Sequence, residues 1–233
     1  MISDLKQRIE LLAGWIAQAK HPVFFTGAGI STESGLPDFR GPDGIWTRRD
    51  EGRETGPVEF DWAEARPNTS HMALVELQNV GKLAFLISQN VDNLHLKSGI
   101  NPELLAELHG NVTKLQCKDC GFKCDNFPNL VTCPICGGML VSSVVDFGQS
   151  LPEKDFREAE WHSRHSDLFV VVGSSLVVNP AASMPGMALK AGAMLVIINQ
   201  GQTPLDGQCH LRFTEATEAV LPPVTKELRN LHN

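Results

Sequence analysis

Pro22-Val23-Phe24-Phe25-Thr26-Gly27-Ala28-Gly29-Ile30-Ser31-Thr32 opens a pattern that the rest of the chain repeats. The first five residues are β-prone, with apolar side chains at consecutive positions. That pattern suits a strand covered on both faces, not one with a wet side. Two glycines follow, then hydroxyl residues that start a helical turn. A strand feeding such a turn presents backbone N–H groups beyond its carboxyl end, where a pyrophosphate can sit. A tight strand-to-helix connection with no ligand explains the same residues. The dinucleotide fingerprint is imperfect, because the third glycine falls at Gly35 instead of three residues after Gly29.

Working outward, similar runs occur at Leu83 to Ser88, Leu168 to Val172 and Met194 to Ile198, with a weaker one at His210 to Phe213. Helical patterns lie between and around them, at Ser70 to Asn79, Glu153 to Ser166, Ala182 to Ala191 and Thr217 to Leu231. The alternation predicts an α/β fold, a doubly wound Rossmann-like parallel sheet with helices on both faces. Residues 1–110 and 142–233 form this domain, residues 111–141 interrupt it with the cysteines, and residues 41–70 make a short loop and helical segment.

Four of the six cysteines fall as Cys117-Lys-Asp-Cys120 and, twelve residues on, Cys133-Pro-Ile-Cys136, each pair followed by glycine. Two thiolates three positions apart on a glycine turn can face one ion, and two such knuckles complete a tetrahedron. The spacing predicts one structural zinc ion with no open position for water, hence no catalytic role. Cys124 and Cys209 remain; a disulfide between them, or Cys124 as a substitute ligand, are the other readings.

The 27 acidic against 20 basic residues give a net charge of -7, which disfavours sequence-independent contact with phosphate backbones. No apolar run approaches the roughly 20 residues of a membrane span. At the N-terminus Leu5, Ile9, Leu12 and Ile16 share one helical face, with Asp4 and Glu10 in place of a basic n-region. The expectation is a cytoplasmic protein without signal peptide, nucleic-acid partner or membrane partner.

In an open α/β sheet the ligand sits beyond the carboxyl ends of the strands. The residues there are Gly27 to Gly35, Gln89-Asn90-Val91-Asp92, Gly173-Ser174-Ser175 and Asn199-Gln200-Gly201. An ordinary dehydrogenase also needs an acid about 20 residues after the glycines, at the end of a second strand. Here Thr47 to Glu54 reads as a charged loop, which argues against hydride transfer.

The run from Gly27 to Gly41, Ser-Gln-Asn-Val-Asp-Asn-Leu-His at residues 88–95, Glu-Leu-His-Gly-Asn at 107–111, the four cysteines, and Gly-Ser-Ser-Leu-Val-Val-Asn-Pro at 173–180 resemble, in order, the motifs of the sirtuins, the NAD-dependent protein deacylases. The resemblance covers nearly the whole chain. It implies that nicotinamide is cleaved from NAD as an acyl-lysine oxygen attacks the ribose, after which a ribose hydroxyl attacks the captured acyl carbon. By resemblance His109 is the base for that second step, and imidazole suits it because its ordinary pKa is about 6.5. Asn90 and Asp92 would line the nicotinamide pocket; a helix N-cap is a further role open to Asp92.

The cofactor-binding set that the resemblance implies is Gly27, Ala28, Gly29, Thr32, Asp38, Phe39, Arg40, Gln89, Asn90, Val91, Asp92, His109, Gly173, Ser174, Ser175, Asn199, Gln200 and Ala216. Arg40 suits a pyrophosphate as a forked donor, and Phe39 would cover the reactive carbon, core packing being its other reading. Val145, Phe147 and Gly148 would take the acyl-lysine peptide as an added strand. Asp146 and Gln149 depart from many sirtuins, which bears on peptide preference. His162 and His165, in a polar helical run, read as solvated.

The segment from Ala65 to Leu74, the segment from Gly41 to Thr47, and Asp146 with Ser150-Leu151-Pro152 look most like the class IV branch, with a prokaryotic member expected. The chain holds no tyrosine, so it cannot form the tyrosine and arginine pair with which some sirtuins grip acidic acyl groups; Trp62 and Arg66 are no substitute. A neutral acyl group is the expected substrate. Mono-ADP-ribosyl transfer from the same pocket, and a non-catalytic NAD or ADP-ribose sensor, are the alternatives.

Overall fold

The computed structural model describes residues 4–41, 44–53, 62 and 64–232. The expected 41–70 segment therefore includes positions, 42–43, 54–61 and 63, that lie outside the described residues. Helix α1 (Leu5–Gln18) leads into β1 (Pro22–Thr26); then come α2 (Ile45–Asp50), α3 (Thr69–Asn79), β2 (Phe85–Ser88), α4 (Leu94–Ser98) and β3 (Leu105–Glu107). Strands β4 (Lys114–Cys117), β5 (Lys123–Asp125) and β6 (Leu140–Ser142) follow. Helix α5 (Glu153–His165), β7 (Leu168–Val172), α6 (Met184–Lys190), β8 (Met194–Ile198), β9 (Leu211–Phe213) and α7 (Thr217–His232) complete the chain.

Six strands form one parallel sheet in the order β3-β2-β1-β7-β8-β9, which is the doubly wound arrangement expected. Strands β1, β7 and β8 are almost wholly buried because both sheet faces are covered. Phe24, Leu86, Val170 and Val196 point into a core shared with Leu12 and Ile16 of α1, Leu74 and Leu77 of α3, and Val220 and Val224 of α7. Their neighbours Phe25, Ile87, Val171 and Ile197 point the other way, onto Ala159 of α5 and Met184 and Ala188 of α6. Truncating a phenylalanine in such a layer costs about 3–5 kcal/mol.

The cysteine-bearing insert is a small antiparallel sheet, order β5-β4-β6, over a core of Leu115, Cys117, Cys133 and Leu140. Its pairing runs to Ser142, one residue past the expected boundary.

Two expectations are corrected. Thr47 to Arg53 is not all loop: Ile45–Asp50 is helical, with Arg48 and Arg49 at its carboxyl end, where cations oppose the helix dipole. Glu54 lies outside the described residues. His162 is not solvated. It is half-buried, its ring stacks on Phe85 with centroids 3.8 Å apart, and its Nδ1 lies 2.9 Å from Nε2 of His21. Burial, aided by His21 and His165, lowers its pKa to about 4. His165 is exposed, as expected.

Candidate active site

The strand order reverses between β1 and β7, and a ligand crevice is expected beyond the carboxyl ends of these two strands. The loops touch at glycines. The Gly29 N–H donates to the Gly173 carbonyl over 2.9 Å, and the Gly27 N–H to that of Val172 over 3.0 Å. Gly173 has φ +64, and a Cβ there would stand 2.3 Å from the Ile30 nitrogen. Only glycine lets the backbones approach so closely, and a cavity of about 300 Å³ lies at the sheet's carboxyl edge, lined by both loops.

Behind the β1 loop the expected helical start takes the form of two short 3₁₀ turns, Ala28–Ile30 and Thr32–Ser34. This winding turns Ser31 inward. Its hydroxyl donates to Oδ2 of Asp92 over 2.6 Å and accepts from Nδ2 of Asn90 over 3.2 Å. The other Asp92 oxygen accepts the Leu94 N–H over 2.8 Å at the start of α4, so the acid also serves a helix end. Ser31, Asn90 and Asp92 are all buried yet line the cavity. Gln89 Nε2 donates to the Ser174 hydroxyl over 2.7 Å and joins the β2 and β7 loops.

His109 is half-buried on the cavity wall, with Nδ1 2.8 Å from the Gln89 carbonyl oxygen. A carbonyl only accepts, so Nδ1 carries the proton and Nε2 keeps its lone pair. Burial lowers the pKa below 6.5, against the raising effect of the Gln89 bond. The ring is thus a neutral base at pH 7.

Phe39 packs on Trp46 and Trp46 on Phe147, at centroid separations of 4.8 and 5.1 Å, to form an aromatic wall. The Arg40 guanidinium lies over Trp46 at 5.0 Å and pairs with Asp50 at 2.5 Å. Val145 and Gly148 line the cavity beside Phe147, whose ring is 77% exposed.

Of the expected cofactor residues, Gly27, Ala28, Gly29, Asp38, Phe39, Arg40, Gln89, Asn90, Val91, Asp92, His109, Gly173, Ser174, Ser175 and Asn199 meet at the cavity. Thr32, Gln200 and Ala216 stand outside its lining. The Thr32 hydroxyl turns back to the Gly29 carbonyl over 3.2 Å, and Gln200 is exposed beyond β8. Ser31, Trp46 and Trp62 line the cavity without having been singled out as site residues. The Ser31 position beside the glycines was the available signal.

The sulfurs of Cys117, Cys120, Cys133 and Cys136 lie within 4.8 Å of one another, with Cys117 to Cys136 at 3.5 Å and Cys120 to Cys133 at 3.7 Å. Four thiolates 2.3 Å from a tetrahedral zinc stand about 3.8 Å apart, so the set fits that ion. Cys124 packs into the insert's core outside this group, and Cys209 packs under the main sheet; both are free thiols.

The Sir2 family model matches residues 27–60 and 55–180. The chain is 45% identical over 231 residues to NAD-dependent protein deacetylase 1 of Bradyrhizobium diazoefficiens, covering 88% of this chain and 90% of the relative. It is 38% identical to NAD-dependent protein deacylase 2 of Archaeoglobus fulgidus, covering 98% and 99%. A plant relative, NAD-dependent protein deacetylase SRT1 of Arabidopsis thaliana, is 41% identical over 96% of this chain, which spans 50% of that protein's length. Among solved structures, a Sir2 complex with p53 peptide and NAD+ superposes with TM-score 0.75 at 32% identity, covering 94% of this chain and 98% of that one. This chain belongs to the Sir2 family.

Proposed function

We infer that the chain is an NAD-dependent protein-lysine deacylase acting on neutral acyl groups, releasing nicotinamide, an O-acyl-ADP-ribose and free lysine. The observation that carries this is His109, which keeps an unprotonated nitrogen in the cavity that also holds the Ser31, Asn90 and Asp92 cluster. A pure NAD binder needs no such base.

The glycine crevice suits a dinucleotide, because the loops after β1 and β7 pack backbone to backbone beneath it: a Cβ at Gly27 or Gly29 would fall 2.8 Å from Gly173. Bound NAD supplies the ribose carbon that captures the acyl oxygen as nicotinamide leaves. Gly27 to Gly29, Arg40 and Gly173 to Ser175 would hold the pyrophosphate and its ribose, and Asn199 the adenosine side. Asn90 and Asp92 would orient the carboxamide and ribose, with Asp92 fixed by Ser31 and Leu94. Phe39 would shield the reacting carbon from water. His109 would take the hydroxyl proton at Nε2, and Val145, Phe147 and Gly148 would pair with the peptide. The cysteine-held zinc would keep the insert folded. The segment from Ala65 to Leu74 and Asp146 support the class IV branch, and four cysteines placed for zinc with Cys124 and Cys209 as free thiols support a reducing, cytoplasmic compartment.

Incubation with acetyl-lysine peptide and NAD tests the reading by mass spectrometry. Loss of acetyl with matching nicotinamide release is expected. Nicotinamide release with retained acetyl and ADP-ribose on protein would mark a transferase, and no turnover with intact binding a sensor.

A further inference from the structure

Chemistry at the crevice leaves one dense polar cluster unused, at the joint between the insert and the main sheet. Asn111 sits there, 1% exposed, with all four side-chain hydrogen-bonding positions filled. Its Nδ2 donates to Oε1 of Glu107 over 2.6 Å and to Oδ1 of Asn93 over 2.9 Å. Its Oδ1 accepts the N–H and the hydroxyl of Thr113, at 2.9 and 2.8 Å. The Ser143 hydroxyl bridges its main chain, accepting from the N–H over 3.1 Å and donating to the carbonyl over 2.8 Å.

The chain leaves the main sheet at residues 109–111 and returns at 143–145, and these segments are in direct contact. The Val145 N–H donates to the His109 carbonyl over 3.0 Å. Between those residues Gly110 has φ +77, and a Cβ there would fall 1.8 Å from the Ser143 carbonyl oxygen. Glu107 anchors the joint to its surroundings. Its N–H donates to Oδ1 of Asp155 on α5 over 3.2 Å, and the other Asp155 oxygen pairs with Lys123 of β5 at 2.7 Å.

We propose that Glu107 and Asn111 are positioning residues for the peptide side of the cavity: they lock the His109 segment against the Val145 segment. The proposal rests on the deacylase reading for what the Val145 segment binds. The glycine loops after β1 and β7 are held by each other without Asn111, whereas Asn111 reaches the β2 loop through Asn93, so the clamp acts on the peptide and nicotinamide side and spares the place of ADP-ribose. Glutamine at 107 keeps an oxygen able to accept from Asn111, whereas alanine removes it.

The test compares wild type, E107A, E107Q, N111A and S143A. Acetyl-peptide affinity is read by fluorescence anisotropy as well as by KM, ADP-ribose affinity by calorimetry, and zinc per chain by metal analysis. E107A and N111A should weaken peptide binding about tenfold, the loss of one buried hydrogen bond, with ADP-ribose affinity and zinc unchanged. E107Q should remain near wild type. If E107A and N111A do not fold, S143A, which loses only the bridging hydroxyl, should show the same one-sided weakening. Unchanged peptide affinity in the folded variants, a parallel fall in ADP-ribose affinity, or an E107Q as weak as E107A overturns the clamp. Wild type that binds peptide and ADP-ribose without turnover overturns the deacylase reading instead, and anisotropy still decides the clamp.

Discussion

His109 donates its Nδ1–H as a hydrogen bond to the carbonyl oxygen of Gln89, 2.8 Å away, and this bond fixes Nε2 as the basic nitrogen. Removing the ring in H109A should lower deacylation by about 10²–10⁴-fold, the usual contribution of a positioned general base. ADP-ribose binding should persist, since the glycine crevice is untouched. Because burial holds the His109 pKa below 6.5, the base is available above that pKa and lost as pH falls through it. A pH profile of kcat/KM should therefore show its acid limb below pH 6.5. A limb centred above that value contradicts the effect of burial on the ring, and one that survives in H109A rules His109 out as the base.

Asp92 accepts from Ser31 and from the Leu94 N–H while 4% exposed. An asparagine at 92 has one acceptor oxygen, so D92N turns an N–H toward one of these donors. The expected cost is about 1–3 kcal/mol of stability, as for any buried polar group left unsatisfied. Nicotinamide release should fall more steeply than melting temperature predicts, since the residue also faces the cavity. S31A takes the donor from Asp92 and the acceptor from Asn90 but leaves Asp92 its charge and its Leu94 bond, and should sit between wild type and D92N in nicotinamide release. Equal activity in D92N and wild type would remove Asp92 from the site.

Stability should depend on pH through groups remote from the chemistry. Burial takes His71 to about 3, helped by His95, and takes His95 itself to about 4, their rings being 5.1 Å apart. Both lie below the unfolded value of 6.5. The unfolded chain therefore binds more protons as pH falls from 6.5, and the contribution of these rings, full above 6.5, is lost toward pH 3 to 4. Glu107 runs the other way. Burial raises it to about 7, opposed by Asn111, Lys123 and Lys114 and reinforced by Asp155, so its contribution is full below about 4.5 and fades as pH rises through 7. Denaturant unfolding should show stability falling from pH 6.5 to 4.5, and E107Q should steepen that fall by removing the opposing group. A flat profile there contradicts the buried, neutral state of the histidines.

How far the sequence speaks depends on where the partners of each residue lie. Strands β1, β7 and β8 match their expected limits because sheet burial on both faces leaves uniform apolar runs. Strand β3 is three residues, Leu-Ala-Glu, and α4 five; neither is long enough to show a period, and both were missed. His162 looked solvated among polar neighbours because its partners, His21 and Phe85, are distant in sequence. Local motifs fared better at the cavity, where most expected residues follow a strand directly. At residues 31 and 32 the short 3₁₀ turns send the Ser31 hydroxyl to Asp92 and the Thr32 hydroxyl back to Gly29, a difference that two adjacent hydroxyl residues do not reveal in sequence.

The insert's core has only four buried side chains, and two of them, Cys117 and Cys133, belong to the metal set. So small an apolar core cannot offset the entropy of ordering the β4 to β6 segment, so a bound ion must supply the balance. Chelation, or C133S, should unfold residues 114–142 and raise their hydrogen exchange while the parallel sheet stays protected. Deacylation should fall with zinc content and return when zinc is restored to the chelated wild type. Because the ion's four positions are filled by sulfur, it cannot polarise substrate, and the loss should act through peptide affinity, via the Asn111 and Ser143 joint. ADP-ribose affinity should fall far less. Full deacylation by a stably metal-free protein would show that neither the ion nor the fold it supports is required.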